Sequence, residues 1–540
     1  MSDISRFAST HYSESHHHAT NEQDLLERLG YKQELKRSHT ILSLAAFGVV
    51  MLTPPTAIMN TLTTPLVTGG AQSLVWGYII VSVFTFMVAL SMAEIAAVYP
   101  VAGGPLSWAY QLGNSQKIKI LSSWYTGYFN IFAQIAFAAS ASFQGVVTIL
   151  SAASLANPSY VSQRYHYVLA SMGFIFLFTA TNTFLNKYYS QSTKALFIYN
   201  VSSVVSIIVT LLATAPRRRD AKFIFTDYNN LTGFDSHGYV FILGLLQSAY
   251  TFSGYDSVTH LAEEAETGTN IIPKALMIVI TSAILYGFIF VMVVCSVLDN
   301  IPDLVDSATG SAFTQLVYNS TGSVGGTVFI VILPALGALF AAEAMTLSNS
   351  RTIYSFARDG AFIFPKTFCK VSDRWGVPIP ALLFSCLIQC IIVILYLSSD
   401  VVFNTILSIC TMGHELAYLV PIILMLFGGR SRMPADRPWN LGKVGVVINA
   451  ISVVWLLFVS ITMMFPTVYP VKAGNMNYTV VIMFIVIAYA TICWFVQGKK
   501  TYKGPSEVLD GEDVVELEAV VSGSDYVMAG SSTESKRFKS

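Results

Sequence analysis

The sequence contains few charged residues: Asp, Glu, Lys and Arg make up 11% of its 540 residues, whereas hydrophobic residues make up 54%. Soluble domains carry about 25% charged residues, and a chain with so few cannot cover a water-exposed surface of this size. The composition therefore excludes an ordinary soluble protein and indicates lipid as the main solvent. Acidic and basic residues are equal in number, 31 each. Net charge thus gives no sign of a nucleic acid partner, and none is expected.

Cysteine is scarce and scattered. Most of the six cysteines fall inside apolar runs, so a disulfide framework is not expected. Cys386 and Cys390 are four residues apart and share a helix face, but no histidine or acid completes a metal-binding set with them. We therefore expect no metal site and no cofactor.

Features of several other protein classes are missing too. The polar N-terminal stretch lacks the charged-then-apolar pattern of a cleavable signal peptide. No G-x-x-x-x-G-K-[ST] nucleotide loop is present, and neither a nucleophile–base–orienter set nor a metal cluster indicates an enzyme. We expect no catalytic residues and no ATP-driven mechanism.

Long apolar runs, in contrast, recur along the chain, and each is long enough to cross about 30 Å of hydrocarbon. A polar tail, 1–38, precedes them, and an acidic tail, 498–540, follows. We predict an all-α polytopic membrane protein with twelve transmembrane helices. Spans 1 to 12 are predicted at residues 41–65, 74–98, 122–150, 167–185, 194–214, 238–261, 276–298, 326–349, 379–397, 402–427, 444–465 and 474–497.

The loops between these spans predict the orientation. Lys and Arg are concentrated at the tails and in the loops on their side, and the positive-inside rule then places both termini in the cytosol. Glycosylation sequons begin at Asn230, Asn319 and Asn477, all in loops assigned to the outside. Passage through the secretory pathway makes the plasma membrane the expected location, with the vacuole as the alternative.

Two spans contain helix-breaking sequences. Span 1 carries adjacent prolines, which remove two amide donors, and span 6 carries a glycine next to an acid. Breaks five helices apart are typical of two inverted repeats that hold a substrate between them, here residues 39–214 and 238–427, with 444–497 as two extra helices. The predicted substrate-binding residues are Thr53, Pro54, Pro55, Thr56, Tyr250, Phe252, Ser253, Gly254, Tyr255 and Asp256.

Asp256 is the charged member of this group. An unpaired charge at mid-membrane is costly, so its carboxylate is expected to hold a substrate ammonium or a proton, or else to cap the second half of span 6. The neighbouring aromatic residues, Tyr250, Phe252 and Tyr255, suit cation–π contact with an ammonium group. Packing is the alternative role for them.

Other ionisable residues are expected to couple or gate transport. Glu343 in span 8 and the pair His414–Glu415 in span 10 lie deep in apolar runs and suit proton coupling, with interhelical hydrogen bonding as the alternative. Glu94 lies near the cytosolic end of span 2. Glu263 and Glu264 lie near the cytosolic end of span 6 in the same way. We expect these carboxylates to act as a gate or to form ion pairs with loop arginines such as Arg351 and Arg358.

Three blocks resemble a known family. Residues 92–108 read MAEIAAVYPVAGGPLSW, residues 256–275 read DSVTHLAEEAETGTNIIPKA, and residues 350–361 read SRTIYSFARDGA. In this order they resemble the amino acid–polyamine–organocation permeases, and the last is similar to the fungal amino acid/choline branch. The resemblance implies a leucine-transporter-like fold. Its core consists of two inverted repeats of five helices each, and two further helices are added to this core. Members of the branch carry choline, 4-aminobutyrate, other amino acids, polyamines or thiamine.

The resemblance implies a secondary active permease. Such a protein imports a small amine-containing nutrient by alternating access, and the resemblance favours protons as the coupling ion. The two prolines in span 1 depart from the glycine-rich break of many α-amino acid permeases, which leaves room for choline, 4-aminobutyrate or another amine. A permease-like nutrient sensor is the alternative, as is carriage of a polyamine or thiamine. Ubiquitin-ligase adaptors are expected to act on the tails, at Lys32 or Lys36.

Overall fold

A computed structural model describes residues 39–505 apart from 267, 398–400 and 473–474. The predicted tail 1–38, with Lys32 and Lys36, and most of the tail 498–540 lie outside the described residues. Within the described part, regular structure is helical, and strand-like pairing is confined to two isolated bridges, His39–Ala265 and Thr68–Asn230. The predicted all-α class is confirmed.

Eleven helices in the described part are long and apolar enough to cross a membrane. The helix of span 3 is the longest and extends well past the predicted apolar run into polar residues at both ends. Together these helices confirm a multi-pass membrane fold. They are Ile41–Thr61, Gly70–Ala96, Gln116–Ala156, Arg164–Phe184, Ser192–Thr214, Thr269–Val297, Val324–Arg358, Ile379–Leu397, Asn404–Arg432, Val444–Thr462 and Thr479–Thr501.

Span 6 is the predicted span that is absent from this set. Its α-helix, His237–Thr251, has 15 residues, fewer than the roughly 20 that a crossing helix needs. A 3₁₀-helix, Tyr255–Glu264, continues the chain after a short break. The described chain therefore has eleven helices of crossing length instead of the predicted twelve. The missing one is span 6, in which the sequence predicts an interruption.

Short helices occupy the loops between spans. Each starts or ends at a proline, a glycine or a polar capping residue, which stops it after one to three turns. They are Thr63–Val67, Pro105–Leu112, Ala221–Thr226, Ile301–Val305, Ala312–Thr321 and Pro365–Phe368.

The helical bundle has two ends, which we name by their residues. At the terminal face, where the described chain begins and finishes, His39 donates its amide to the Glu264 carbonyl at 3.0 Å and Tyr502 bonds the Ser123 hydroxyl at 2.6 Å. At the sequon face, the loops that carry the three sequons meet through contacts such as Tyr469 N to Thr232 O at 2.8 Å. The cytosolic assignment of the terminal face stays a prediction.

Span 3 lies at the centre of the bundle and packs along its length against spans 8 and 10. Small residues permit this close approach, as is usual where helices meet in lipid. A side chain at Gly145 would lie 3.0 Å from the Ala335 carbonyl, and one at Gly413 would lie 3.2 Å from the Phe129 carbonyl. Polar residues of span 3 are thereby brought against the broken segment of span 6.

Candidate functional site

Span 1 is interrupted at Thr53. The helices Ile41–Leu52 and Pro54–Thr61 meet there, and Thr53 has a positive φ of 29°. The Thr53 amide still donates to Val49 O. In a continuous helix the amides of residues 54 and 55 would donate to the carbonyls of Val50 and Met51. Both residues are prolines, which have no N–H to donate. Two buried carbonyls thus lose their helical donors at mid-bilayer.

Span 6 is interrupted between Thr251 and Tyr255. Gly254 adopts a left-handed backbone conformation, with φ 85° and ψ 15°, which suits glycine because it has no Cβ. A Cβ there would lie 3.0 Å from Met345 Cε, 3.6 Å from Met51 Cε and 3.7 Å from His414 Nε2. The break therefore faces span 8, span 10 and the residues just before the break in span 1. The two interruptions meet in space, as the sequence predicts.

Asp256 is completely buried beyond this break. Its Oδ1 accepts from the Tyr418 hydroxyl at 2.6 Å, and its Oδ2 accepts from Asn130 Nδ2 at 3.3 Å and lies 3.2 Å from His260 Nε2. All these partners are side chains, and the 3₁₀-helix has no side-chain cap. The capping role is therefore not the one that this geometry favours.

His260 belongs to the same cluster and was absent from the predicted site. Its Nδ1 lies 2.9 Å from the Ala102 carbonyl, and its Nε2 lies 2.8 Å from Gln134 Nε2. A signal for it exists in the sequence, because Asp256 and His260 are four residues apart and are the only Asp, Glu, Lys, Arg or His residues between Gly238 and Ala262. Its partners from span 3, more than 120 residues away, leave no local signal.

His414 lies beside the same break, as the sequence predicts for a deep ionisable residue. Its Nδ1 donates to the Cys410 carbonyl at 2.9 Å, which leaves Nε2 as an acceptor. That nitrogen is buried and has no hydrogen-bond partner among the described residues. Glu415, next in the chain, is also buried.

A cavity of about 440 Å³ extends inward from the sequon face. Of the predicted binding residues in the described chain, only Tyr250 lines it; its hydroxyl bonds Ser140 at 3.0 Å and Gln144 at 2.8 Å. Most of its polar lining comes from amide and hydroxyl residues that were absent from the predicted site, although each stands out as polar within an apolar span. They include Asn60, Gln144, Gln247, Asn404, Ser408 and Thr411.

The terminal face is closed by ion pairs. Arg351 donates through Nε to Glu264 Oε1 at 3.3 Å, and His39 Nε2 lies 4.0 Å from the other oxygen of the same carboxylate. Burial lowers the pKa of His39, while Glu264 raises it and Arg351 lowers it. These contacts join the start of span 1, the end of span 6 and span 8, so Arg351 occupies a place suited to the predicted gating role.

Glu94 forms a second ion-pair cluster at this face, with different partners from those predicted. It is bound by Arg430 at 2.6 and 2.8 Å, by Arg437 at 2.5 and 3.0 Å, and by the Leu441 amide at 3.0 Å. Of the carboxylates predicted to pair with loop arginines, Glu264 is bound by Arg351, whereas Glu94 is not. The arginines come from the loop after span 10, far away in sequence, so span 2 is tied to the loop between spans 10 and 11.

Glu343 lies apart from the break. Its Oε1 accepts from the Thr181 hydroxyl at 2.6 Å, and its carbonyl accepts from Asn182 Nδ2 at 3.2 Å. It therefore joins span 8 to span 4 and does not reach Asp256 or His414 through any described hydrogen bond. This position suits the interhelical alternative better than proton coupling.

The sequons all lie at the sequon face, but their asparagines differ in exposure. Asn230 and Asn319 are half-buried, whereas Asn477 is buried and donates both to Met463 O at 2.8 Å and to Phe465 O at 3.1 Å. A glycan needs that same nitrogen free. Asn230 Nδ2 likewise donates to Phe234 O at 2.7 Å. We therefore expect glycosidase treatment to shift the gel mobility of the protein, and Asn319→Gln to remove the shift. Asn477→Gln should leave it unchanged; a loss of mobility shift in that variant would contradict the buried position.

The fold and these features define a class: a polytopic helical membrane transporter with paired broken helices. The chain matches the amino acid permease family over residues 41–487 and belongs to it. An amino-acid permease of Arabidopsis thaliana is 32% identical over 89% of this chain and 95% of its own length. A choline transporter and a GABA-specific permease of Saccharomyces cerevisiae are each 28% identical, over 88% and 92% of this chain and 84% and 88% of their own lengths. The family resemblance seen in the sequence blocks is confirmed: the protein is a membrane transporter of the amino acid permease family, not an enzyme.

Proposed function

We propose that this protein imports a small amine-containing nutrient by alternating access, coupled to proton entry, at the plasma membrane with both termini in the cytosol. The observation that carries the proposal is the asymmetry of the two faces. A cavity reaches from the sequon face to the second half of span 1 and the first half of span 6, while ion pairs close the terminal face. This arrangement is what an outward-open state requires. Adaptors for ubiquitin ligases are proposed to act on the tails.

A proton gradient supplies sufficient energy for this import. One proton entering with about 100 mV gains about 2.3 kcal/mol, and a pH difference of one unit adds about 1.4 kcal/mol. Together they suffice to concentrate a neutral substrate several hundred-fold, since about 1.4 kcal/mol corresponds to a factor of ten.

The cavity lining favours a substrate with little net charge. None of the described residues that line it is Asp, Glu, Lys or Arg, and the polar groups are amides and hydroxyls. A polyamine with several positive charges would therefore meet no carboxylate on entry. This supports an amino acid, 4-aminobutyrate or choline over a polyamine, and leaves thiamine as the other organic amine to test.

Uptake into vesicles that contain the full chain tests the proposed function. A competition panel of radiolabelled 4-aminobutyrate, choline, basic amino acids, polyamines and thiamine identifies the substrate class. A transporter accumulates unmodified substrate, whereas a nutrient sensor on the same scaffold binds it and accumulates nothing. Failure of every compound to accumulate would overturn the proposal and favour the sensor.

Labelling of a cavity cysteine tests alternating access. Ser408 lines the cavity, and five of the six native cysteines are buried. We expect Ser408→Cys to react with a membrane-impermeant thiol reagent added at the sequon face, and the reaction to block uptake at least about tenfold. Ser372→Cys, in a loop at the terminal face, is the matched control and should not react from that side. Equal reaction of both variants would contradict the assignment of the open face.

A further inference from the structure

A buried carboxylate and a buried imidazole face each other just beyond the break in span 6. Asp256 Oδ2 and His260 Nε2 are 3.2 Å apart, and both side chains are completely buried. Asp256 has no hydrogen bond or ion pair with a lysine or arginine in the described part of the chain. A negative charge on Asp256 therefore has no lysine or arginine to neutralise it, and such an unpaired charge is costly inside a membrane. Protonation of the carboxylate removes this charge.

Hydrogen bonding determines where the protons of this pair lie. His260 Nδ1 faces the Ala102 carbonyl at 2.9 Å, and a carbonyl only accepts, so that nitrogen carries a hydrogen. If His260 is neutral, its Nε2 is then an acceptor. An ionised Asp256 is an acceptor as well. Two acceptors 3.2 Å apart repel each other, so the observed contact requires one additional proton on one of the two groups.

The surrounding amides indicate which group holds that proton. Gln134 Nε2 lies 2.8 Å from His260 Nε2, and Gln134 Oε1 accepts from Asn349 Nδ2 at 3.3 Å. Turning the glutamine amide would bring its nitrogen against that of Asn349. The orientation as placed leaves His260 neutral and puts the additional proton on Asp256 Oδ2.

The network can also accommodate loss of the proton. After it leaves, Asp256 still accepts from the Tyr418 hydroxyl and from Asn130, and His260 Nε2 still accepts from Gln134. No donor is left without an acceptor, so loss of the proton breaks the Asp256–His260 contact and leaves the other hydrogen bonds in place. What changes is the charge, two residues from the left-handed glycine at the break.

We propose that Asp256 and His260 share one exchangeable proton and that this pair is the site where substrate transport is coupled to proton movement. One proton binds from the side to which the site is open and leaves to the other side after the helices rearrange. No covalent bond other than O–H or N–H forms or breaks. The inference rests on the proposed transport function and names its coupling site.

Other titratable groups surround the pair. From span 10 they are Cys410, His414, Glu415 and Tyr418, and from span 6 itself Tyr255. Span 3 contributes the neutral amides Asn130 and Gln134, and the loop after span 2 contributes a carbonyl. His414 bonds a backbone carbonyl and makes no hydrogen bond with a carboxylate among the described residues, so the Asp256–His260 contact is the one whose geometry requires an additional proton.

The experiment uses the purified full chain in liposomes with a trapped pH-sensitive dye. The probes are radiolabelled 4-aminobutyrate, choline and L-lysine, supplied with an inward proton gradient or, separately, at equal concentration on both sides to measure exchange. For wild type we expect proton entry with the transported probe and accumulation that depends on the gradient. For His260→Gln we expect gradient-driven accumulation to fall at least about tenfold, with a smaller loss of exchange.

Matched variants identify the cause of any change. His166→Gln makes the same replacement at the half-buried start of span 4, away from the pair, and should accumulate each probe as wild type does. If His260→Gln does not reach the liposomes folded, His260→Asn replaces it. Wild-type accumulation by a folded His260 variant would overturn the assignment, as would wild-type transport without proton entry. Absence of wild-type transport of every probe would instead reject the proposed function.

Discussion

Replacing Gly254 by valine should lower uptake at least about tenfold at equal amounts of protein in the membrane. A non-glycine residue in the left-handed region costs about 1–2 kcal/mol, more for a β-branched one, and about 1.4 kcal/mol is a factor of ten. Gly254 holds that conformation, with φ 85°, and its Cβ would also press on Met345 at 3.0 Å. Initial uptake rates measured against surface protein check the prediction.

A second glycine gives the control for this substitution. Gly173 lies within the helix of span 4, and a Cβ there meets no atom within 4 Å. Gly173→Val should therefore transport as wild type, and Gly254→Ala should fall between the two because alanine is strained without being β-branched. A Gly254→Val protein with wild-type rates would show that transport does not need this backbone conformation.

Replacing Glu94 by alanine should destabilise the purified protein by about 3–5 kcal/mol, the usual cost of removing one partner of a buried ion pair. The carboxylate is completely buried and serves two arginines that are themselves mostly buried, Arg430 and Arg437. Its loss leaves two positive charges without a counterion and frees the loop after span 10 from span 2. Thermal unfolding in detergent measures the loss, and accumulation should fall because the terminal face no longer closes firmly.

Replacing all three residues of the cluster distinguishes two causes of destabilisation: the loss of the ion pairs themselves and the cost of leaving buried arginines unpaired. The triple variant Glu94→Met, Arg430→Met, Arg437→Met should be more stable than Glu94→Ala alone, because no unpaired charge remains. Asp235→Ala, in an exposed loop, is the control and should change stability by less than about 0.5 kcal/mol. A Glu94→Ala protein as stable as this control would mean that the cluster does not hold the face closed.

The fold was largely predictable because its determinants are local. A run of apolar residues predicts a membrane helix whatever surrounds it, and a proline cannot donate a hydrogen bond in any context. Both breaks, at Thr53 and at Gly254, follow from residues within one turn of them. The same local reasoning explains the count, since the break in span 6 shortens its α-helix below a crossing length.

The candidate site was only partly predictable because its contacts join distant segments. Asp256 stands out alone in the sequence, but its partners Asn130 and Tyr418 lie 126 and 162 residues away. Glu94 and Arg430 are separated by 336 residues, so no spacing rule could pair them. Side chains such as Gln144 were visible as polar residues in apolar spans, but only the packed bundle reveals which of them face one cavity.

The paired prolines of span 1 have a consequence for the design of blockers. The groups that they release are the carbonyls of Val50 and Met51, and the nearby His414 Nε2, which has no hydrogen-bond partner in the described part of the chain, is an acceptor as well. A compound that offers N–H groups to this region would satisfy them, whereas a carboxylate or sulfonate would face lone pairs. Medicinal chemistry against this permease should therefore begin from amidines and primary amines.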